Sequence, residues 1–528
     1  MSSRSTDCSS WTAQIGRTRV SRRGLVRGSG ALALSLAAMG GVSLPGMAAA
    51  QDADGNLLDT VTIDLSGEPE SIDPANAYAP RDWSIVHSIY DAPVQFGPNG
   101  EIEPLAAESL TFLDPKTIEI KLRSGILFHD GSPLTSAAIT RSVDHLKSSD
   151  SKVVDLFNVI TEVKEIDELT AHVITSEPSP SLPSQMVAYL LLLPEGATSE
   201  TMATKPIGTG PYKFSDYASG SQITLVRNAD YTWGSPKGTP MAEKAAYRFV
   251  PEMATRVADL SSGAADIIIE IPTDQKAAIE AAGAIADDVA LVGSAFVRLI
   301  TDQKPFDDAR VRQAMNYAVD VQAIATALVS PEAKRLAGIY PDNRSMGFDP
   351  DLAPYAYDPD KARALLSEAG LADGTDVDFD ITTAARKEIA EAIAAQLAEV
   401  GIRTTIKAHP YTEFNATFKE GTAPLRMLTW SGLYDPQTLL SLVFAKDGYL
   451  SRYTNAEADK LIAEAGVETD ATKRTQLYRQ LGKVMYDDPA AIYLWNLTAM
   501  YGVSQRAKAW QPRGDEYVLP VVENEAGS

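Results

Sequence analysis

Between residues 375 and 409 the chain writes one supersecondary unit that leaves few choices of fold. Val377, Phe379 and Ile381 alternate with polar residues, the period of a half-buried strand. From about Lys387 to Val400 the period changes. Ile389, Ile393, Leu397 and Val400 share one helical face, and Gly401 follows as a stop. Ile402, Thr404 and Ile406 then alternate again. Strand, helix and strand in roughly 30 residues make a βαβ unit, which implies a parallel sheet with a right-handed crossover. The fold class expected is therefore α/β.

The flanking sequence extends this pattern. Asp358 as N-cap, Pro359 at the first helical position and Gly370 past the end bracket a helix carrying Ala362, Leu365, Leu366 and Ala369. Helices at about 456–465 and 471–487 precede Pro489, and Ala490 to Trp495 reads as a buried strand. Earlier, Val61, Ile63 and Leu65 alternate as a strand, as do Ile118, Ile120 and Leu122. Thr135 is expected to cap a helix from about Ser136 to Leu146. Asp307 is expected to cap one carrying Val311, Met315 and Ala318, and Asp320 the next. The Arg310/Arg312 pair reads as a solvated face of that first helix. Phe296 to Thr301 is strand-like. A chain of 528 residues has room for two or three such lobes.

The first 50 residues are expected to leave the mature protein. Ser21-Arg22-Arg23-Gly24-Leu25-Val26-Arg27 is a twin-arginine sequence, a mildly apolar stretch runs from Gly28 to Met47, and Ala48-Ala49-Ala50 supplies a small-residue cleavage site. Glycines, serines and Pro45 make that stretch a poor spanning helix. This segment holds six arginines and one aspartate. Without it Lys+Arg falls from 47 to 41, Asp+Glu from 70 to 69, and the formal charge goes from −23 to −28. So acidic a body repels phosphate backbones and anionic headgroups, which argues against nucleic-acid partners and direct membrane insertion. The single cysteine, Cys8, lies in the same segment. The mature chain then has no disulfide, no thiolate ligand and no cysteine at the cleavage site to carry a lipid anchor. A periplasmic location follows.

Motifs that would announce catalysis are missing. No serine sits in G-x-S-x-G, no H-E-x-x-H or G-x-x-x-x-G-K occurs, and the five histidines are scattered without partners at ligand spacing. His129, beside the turn pair Asp130-Gly131, reads as a turn histidine. No catalytic residue, metal site or cofactor is assigned. One segment does draw notice. Trp430-Ser431-Gly432-Leu433-Tyr434-Asp435-Pro436 follows the apolar run Leu425, Met427 and Leu428, and puts two amphipathic rings past a strand end. Such rings either fill a core or wall a pocket. Tyr78, Arg81 and Trp83 form a second polar-aromatic group, which covers a helix start or faces a ligand.

The run Leu122-Arg123-Ser124-Gly125-Ile126-Leu127-Phe128-His129-Asp130-Gly131-Ser132-Pro133-Leu134-Thr135, with the strand before it and the helix after it, resembles the family 5 solute-binding proteins of ABC importers. Glu68 to Pro74, Gly208 to Phe214, Arg227 to Trp233 and Phe306 to Ala314 match the same family in order and spacing. The resemblance implies a two-lobe periplasmic-binding-protein fold of the large type, with the ligand in a cleft between lobes. After the twin-arginine signal peptide over 1–50, it implies a first lobe over 51–297 with an extra subdomain at about 93–204. A second lobe over 298–489 and a return to the first over 490–528 complete it. The chain is then expected to be a monomeric receptor that captures a small polar organic or peptide-like solute by lobe closure and delivers it to an inner-membrane ABC permease. Hinges would lie near Val297–Thr301 and Ile492–Trp495. A periplasmic hydrolase acting on a similar solute is the alternative.

The same resemblance bears on the solute. In the peptide-binding branch the loop reads W-x-x-D-x-x-D-P, and its first aspartate pairs with the peptide ammonium. Here Leu433 holds that position and the loop is one residue shorter. A buried ammonium without a carboxylate costs several kcal/mol, so peptides with a free N-terminus are disfavoured unless Asp435 or another acid takes over. The shorter W-x-x-x-Y-D-P form is similar to the nickel-complex branch, yet Gln437 to Tyr453 contains no histidine. The expected site is Trp430 and Tyr434 as stacking walls, Leu433 and Asp435 between and beside them, and Tyr78 and Arg81 opposite, with Arg81 as a handle for a carboxylate. Opine-like compounds, modified peptides, metal chelates and oligosaccharides all stay open.

Overall fold

The structure is a computed structural model that describes residues 57–383, 385–416 and 423–523. The export segment and its cleavage site lie outside the described residues. Among those described, ten strands form one mixed sheet: β1 (Leu58–Leu65), β2 (Tyr212–Ala218), β3 (Gln222–Arg227), β4 (Ala242–Phe249), β5 (Ile267–Ile268), β6 (Ile285–Leu299), β7 (Thr375–Thr382), β8 (Ile402–His409), β9 (Leu425–Trp430) and β10 (Ala491–Val503). Their spatial order is β8-β7-β9-β6-β10-β5-β1-β4-β3-β2.

The expected βαβ unit is present. β7 and β8 pair in parallel from Thr375↔Ile402 to Thr382↔His409, joined by a helix over Lys387–Glu399. Ile389, Ile393 and Leu397 of that helix are buried against the sheet. β9 runs parallel beside β7 and antiparallel beside β6, and Trp430 ends it.

Two long strands join the halves. β6 and β10 pair antiparallel from Ile285↔Val503 to Arg298↔Ala491, with the register broken between Ala290 and Ser294 and again between Ser294 and Phe296. Before the break Ile285 and Val289 pack on the core that holds Val61, Ile63, Tyr212 and Tyr247. After it Ala295, Val297 and Leu299 belong to the core of Phe379, Ile381 and Ile393. Tyr501 and Val503 lie in the first core, and Ile492, Leu494 and Trp495 in the second. The chain thus passes between lobes in mid-strand, where a bulge sharpens bend and twist. The irregularity lies before the Val297–Thr301 stretch, whose neighbours Phe296–Arg298 are regularly paired with Tyr493–Ala491.

A separate four-stranded sheet, formed by Ala107–Asp114, Thr117–Leu122, Ile160–Glu165 and Thr170–Thr175, has its own core from Val94 to Leu192, joined by Ala75. Helices α1 (Pro80–Ile89), α2 (Ala137–Leu146) and α3 (Leu182–Tyr189) lie with the first lobe, and α4 (Ala309–Ala318), α5 (Lys387–Glu399) and α6 (Ala471–Asp487) with the second. His129 ties the turn after Thr117–Leu122 to the Gly208-Thr209-Gly210 turn. Its Nδ1 accepts from the Gly208 N–H at 3.2 Å, which leaves Nε2–H to donate to Gly210 O at 3.1 Å. Gly208 has no substitute here, since a Cβ would meet Ile89 O at 2.1 Å.

Three local expectations need correction. The cap position of α2 is Ser136, not Thr135, and its hydroxyl donates to Asp167 O at 2.6 Å. Asp308, not Asp307, caps α4 by accepting from Arg310 N–H at 2.9 Å. Arg312 is not on a solvated face. It is buried, donating to Pro489 O at 2.8 Å and to Phe306 O, and pairing with Asp488. The Pro489 carbonyl and the Asp488 carboxylate at the entry to β10, with the Phe306 carbonyl, satisfy that guanidinium, and helical period alone does not reveal them. By contrast Asp320 and Asp358 cap as expected, accepting from Ala323 and Lys361 N–H.

Candidate functional site

Trp430 ends β9, paired with Ser294 of β6 at the register break. Its half-buried ring lines a cavity of about 490 Å³ with Arg386, Ile389, Phe414, Trp495 and Thr498. That cavity lies on the second-lobe side of the crossing strands. Gly432, at φ 70°, then turns the chain in the left-handed region. Ser431 and Gly432 are exposed, but the loop beyond them dives inward.

Leu433 is 1% exposed and packs with Val292, Phe296 and Leu439. Tyr434 stacks on Phe96 of the first lobe with centroids 4.0 Å apart and planes 15° apart, and its carbonyl accepts from Met346 N–H at 2.9 Å. It does not line the cavity beside Trp430. Asp435 accepts two bonds from Arg474 of α6, at 2.6 and 3.0 Å, and its side chain is 5% exposed. Tyr478 extends this network, accepting from Arg474 at 2.8 Å and donating to Gln437 Oε1 at 2.7 Å. Ser184 of α3 lies 3.4 Å from Asp435, and Gln185 donates to Thr438 at 3.1 Å. So the loop's second half is a seam between the lobes.

Tyr78 and Arg81 belong to a different neighbourhood. Tyr78 is 56% exposed, stacked 6.5 Å from Tyr189 at the end of α3. Arg81 lies 3.8 Å from Glu70 and 3.9 Å from Asp82 at the start of α1. Trp83 packs edge-on against Tyr189 and tilted against Tyr517, with its buried indole N–H unpartnered. His87 stacks on Tyr517 with centroids 4.6 Å apart, and burial, with Lys237 nearby, holds its pKa well below 6.5. Tyr78 and Arg81 therefore stand in a first-lobe aromatic group, apart from the cavity of Trp430.

The link between these groups comes from residues that no local pattern marks. The turn Arg513–Glu516, just before Tyr517, lies over the crossing strands, with Gly514 O accepting from Val292 N–H at 3.3 Å. Glu516 of that turn is half-buried. Burial first, then the neighbouring Asp515 and Glu270, raise its pKa above the usual carboxylate range. Among the described residues no group of three or more His, Cys, Asp or Glu side chains is placed to hold a metal ion, and no helix is long and apolar enough to cross a membrane.

Comparison with known proteins agrees with this architecture. Residues 101–451 match the family model described as bacterial extracellular solute-binding proteins, family 5 Middle. Heme-binding protein A of Haemophilus influenzae is 26% identical over 472 residues, covering 80% of this chain and 84% of that one. The dipeptide-binding protein of Escherichia coli is 26% identical over 496 residues, covering 85% and 92%. The solved structure of HbpA2 from Haemophilus parasuis superposes with a TM-score of 0.78 at 22% identity, over 88% of this chain and 99% of that one. The match spans both lobes, and members of this family are transport receptors and not enzymes. The chain belongs to the bacterial extracellular solute-binding proteins of family 5.

Proposed function

We propose that this receptor takes a small polar organic or peptide-like solute where the lobes meet, against Trp430 and the loop that follows it, and hands it to an inner-membrane ABC permease. The observation that carries the reading is the position of Trp430. Its half-buried ring lines a roughly ligand-sized cavity and stands opposite Ser294, at the register break where the chain passes between lobes. Tyr434 and Leu433 support that wall from behind, and Asp435 anchors it through Arg474. Exposed Tyr78, with Arg81 nearby, is the first-lobe candidate for the opposing contact. Lobe motion about the register break in β6 and β10 would close the two surfaces on the solute.

A relative named for dipeptides supports peptide-like solutes as candidates. The twin-arginine sequence supports export to the periplasm through that route. A thermal-shift screen across dipeptides, opines, metal chelates and oligosaccharides tests the reading, because a bound solute stabilises by mass action. A shift from one solute class, returned unaltered in native mass spectrometry, is the expected result. No shift from any of them, or release of a converted product, would overturn it.

A further inference from the structure

We propose that Phe96 and Gln185 form a latch between the four-stranded subdomain and the second lobe, and that it sets the closed fraction of the receptor before any solute binds. This rests on the receptor reading above, since closure matters to a protein that traps a solute between lobes. The subdomain is fixed to the first lobe. Trp83 packs on the cores of both, and the Leu192 N–H donates to Asp91 O at 3.0 Å. Its contacts with the second lobe are few. Among the described residues, Phe96 alone packs on both the subdomain core and the core of Leu433, Leu439 and Tyr478. Its ring lies flat on Tyr434, 4.0 Å away. Gln185 donates to Thr438 at 3.1 Å, and Arg474 lies 3.4 Å from Pro180 O. Elsewhere the two surfaces stand apart across a cavity of about 490 Å³, with Pro115 on one side and Val467 and Leu477 on the other.

A seam of one ring stack and one good hydrogen bond can part and re-form, unlike a shared core. Gly100 shows how closely the surfaces meet. At φ 85° it turns the chain after Phe96, and a Cβ there would lie 2.0 Å from Arg344 O and 3.0 Å from the Tyr434 ring. Arg344 in turn donates to Ala290 O at 2.9 Å, where the register of β6 breaks. The seam therefore stands beside the bend about which the lobes rotate, and that rotation must slide or separate the two rings. None of Phe96, Tyr434, Gln185 and Thr438 lines the Trp430 cavity. A contact outside the cavity favours the closed arrangement whatever the solute, and apparent affinity scales with the closed fraction. The latch thus raises affinity for every solute by one factor and leaves the choice among them to the cavity.

The test measures lobe separation without added solute. Cys8, in the export segment, is the only cysteine, so spin labels can be placed cleanly through Lys164→Cys on the subdomain and Lys460→Cys on the second lobe, both exposed positions. Double electron–electron resonance on the purified protein, stripped of co-purified solute, should show a predominant short separation. In Phe96→Leu/Gln185→Ala that fraction should fall about threefold in favour of a longer one. Gly100→Ala, which wedges the turn against Arg344, should move the distribution the same way. Thr438→Val, which removes only the hydrogen bond, should give a smaller fall, and circular dichroism checks the fold of each variant. An unchanged distribution in Thr438→Val and in the folded double variant overturns the latch, as does a parent in which the longer separation already predominates. These distances need no solute, so they decide the latch separately from the receptor reading, which the solute screen decides.

Discussion

Arg474 grips Asp435 with both terminal nitrogens, at 2.6 and 3.0 Å, and the pair is nearly sealed from solvent at 3% and 5% side-chain exposure. The loop that ends at Asp435 is fixed by a helix 39 residues later, and Ser184 of the first lobe lies against the same carboxylate. Removing one member of a buried pair leaves the other charge uncompensated. Arg474→Met should therefore destabilise the protein by about 3 kcal/mol in urea unfolding. An unchanged midpoint would show the pair to be dispensable.

Leu433 occupies the position where a peptide receptor of this family is expected to carry its amine-binding aspartate. Its side chain, however, is packed among Val292, Phe296 and Leu439. Leu433→Asp should cost at least ~3 kcal/mol of stability through burial of an unpaired carboxylate and should not create dipeptide affinity. Gain of alanyl-alanine binding without loss of stability would place the side chain in the cleft instead.

The two rings of the loop should separate by phenotype. Trp430→Ala is expected to weaken solute binding by at least ~1 kcal/mol through lost stacking, with the melting temperature little changed. Tyr434→Ala should act the other way, removing a buried ring stacked on Phe96 and costing about 3 kcal/mol of stability. Equal effects of both variants on affinity would return Tyr434 to the ligand wall.

Acid should destabilise the protein through two histidines. Burial lowers the His129 pKa from 6.5 to about 4 and the His87 pKa well below 6.5. Below pH 6.5 the unfolded chain takes up protons that the folded state refuses, so stability falls as pH drops from 6.5 towards 4. The melting temperature of His129→Gln should change less steeply over that window than that of the parent.

Glu516 titrates with the opposite sense. Its raised pKa means the folded state binds a proton more readily than the unfolded one, so stability is lost as pH rises through the carboxylate range. Glu516→Gln should melt higher than the parent near pH 7 without solute, and the gap should close under acid. A variant less stable at neutral pH would mean that the carboxylate has a cationic partner.

The bare sequence specifies the α/β class, the βαβ unit of residues 375–409, most helix ends in the second half and the family. Those features depend on local chemistry: period, caps at Asp320 and Asp358, and glycines at Gly370 and Gly401. It also placed Trp430 at a strand end. Tertiary structure decided what each polar group faces. Arg312 reads as solvated by helical period, yet it is buried because Phe306, Pro489 and Asp488 converge on it. Tyr434 and Asp435 read as ligand contacts, yet their partners are Phe96 and Arg474. Glu516 carried no local signal, and its environment exists only where the last turn of the chain folds back over the crossing strands. Charge burial and neutralisation depend on neighbours brought together from distant positions, so only the folded chain can show which charges are paired.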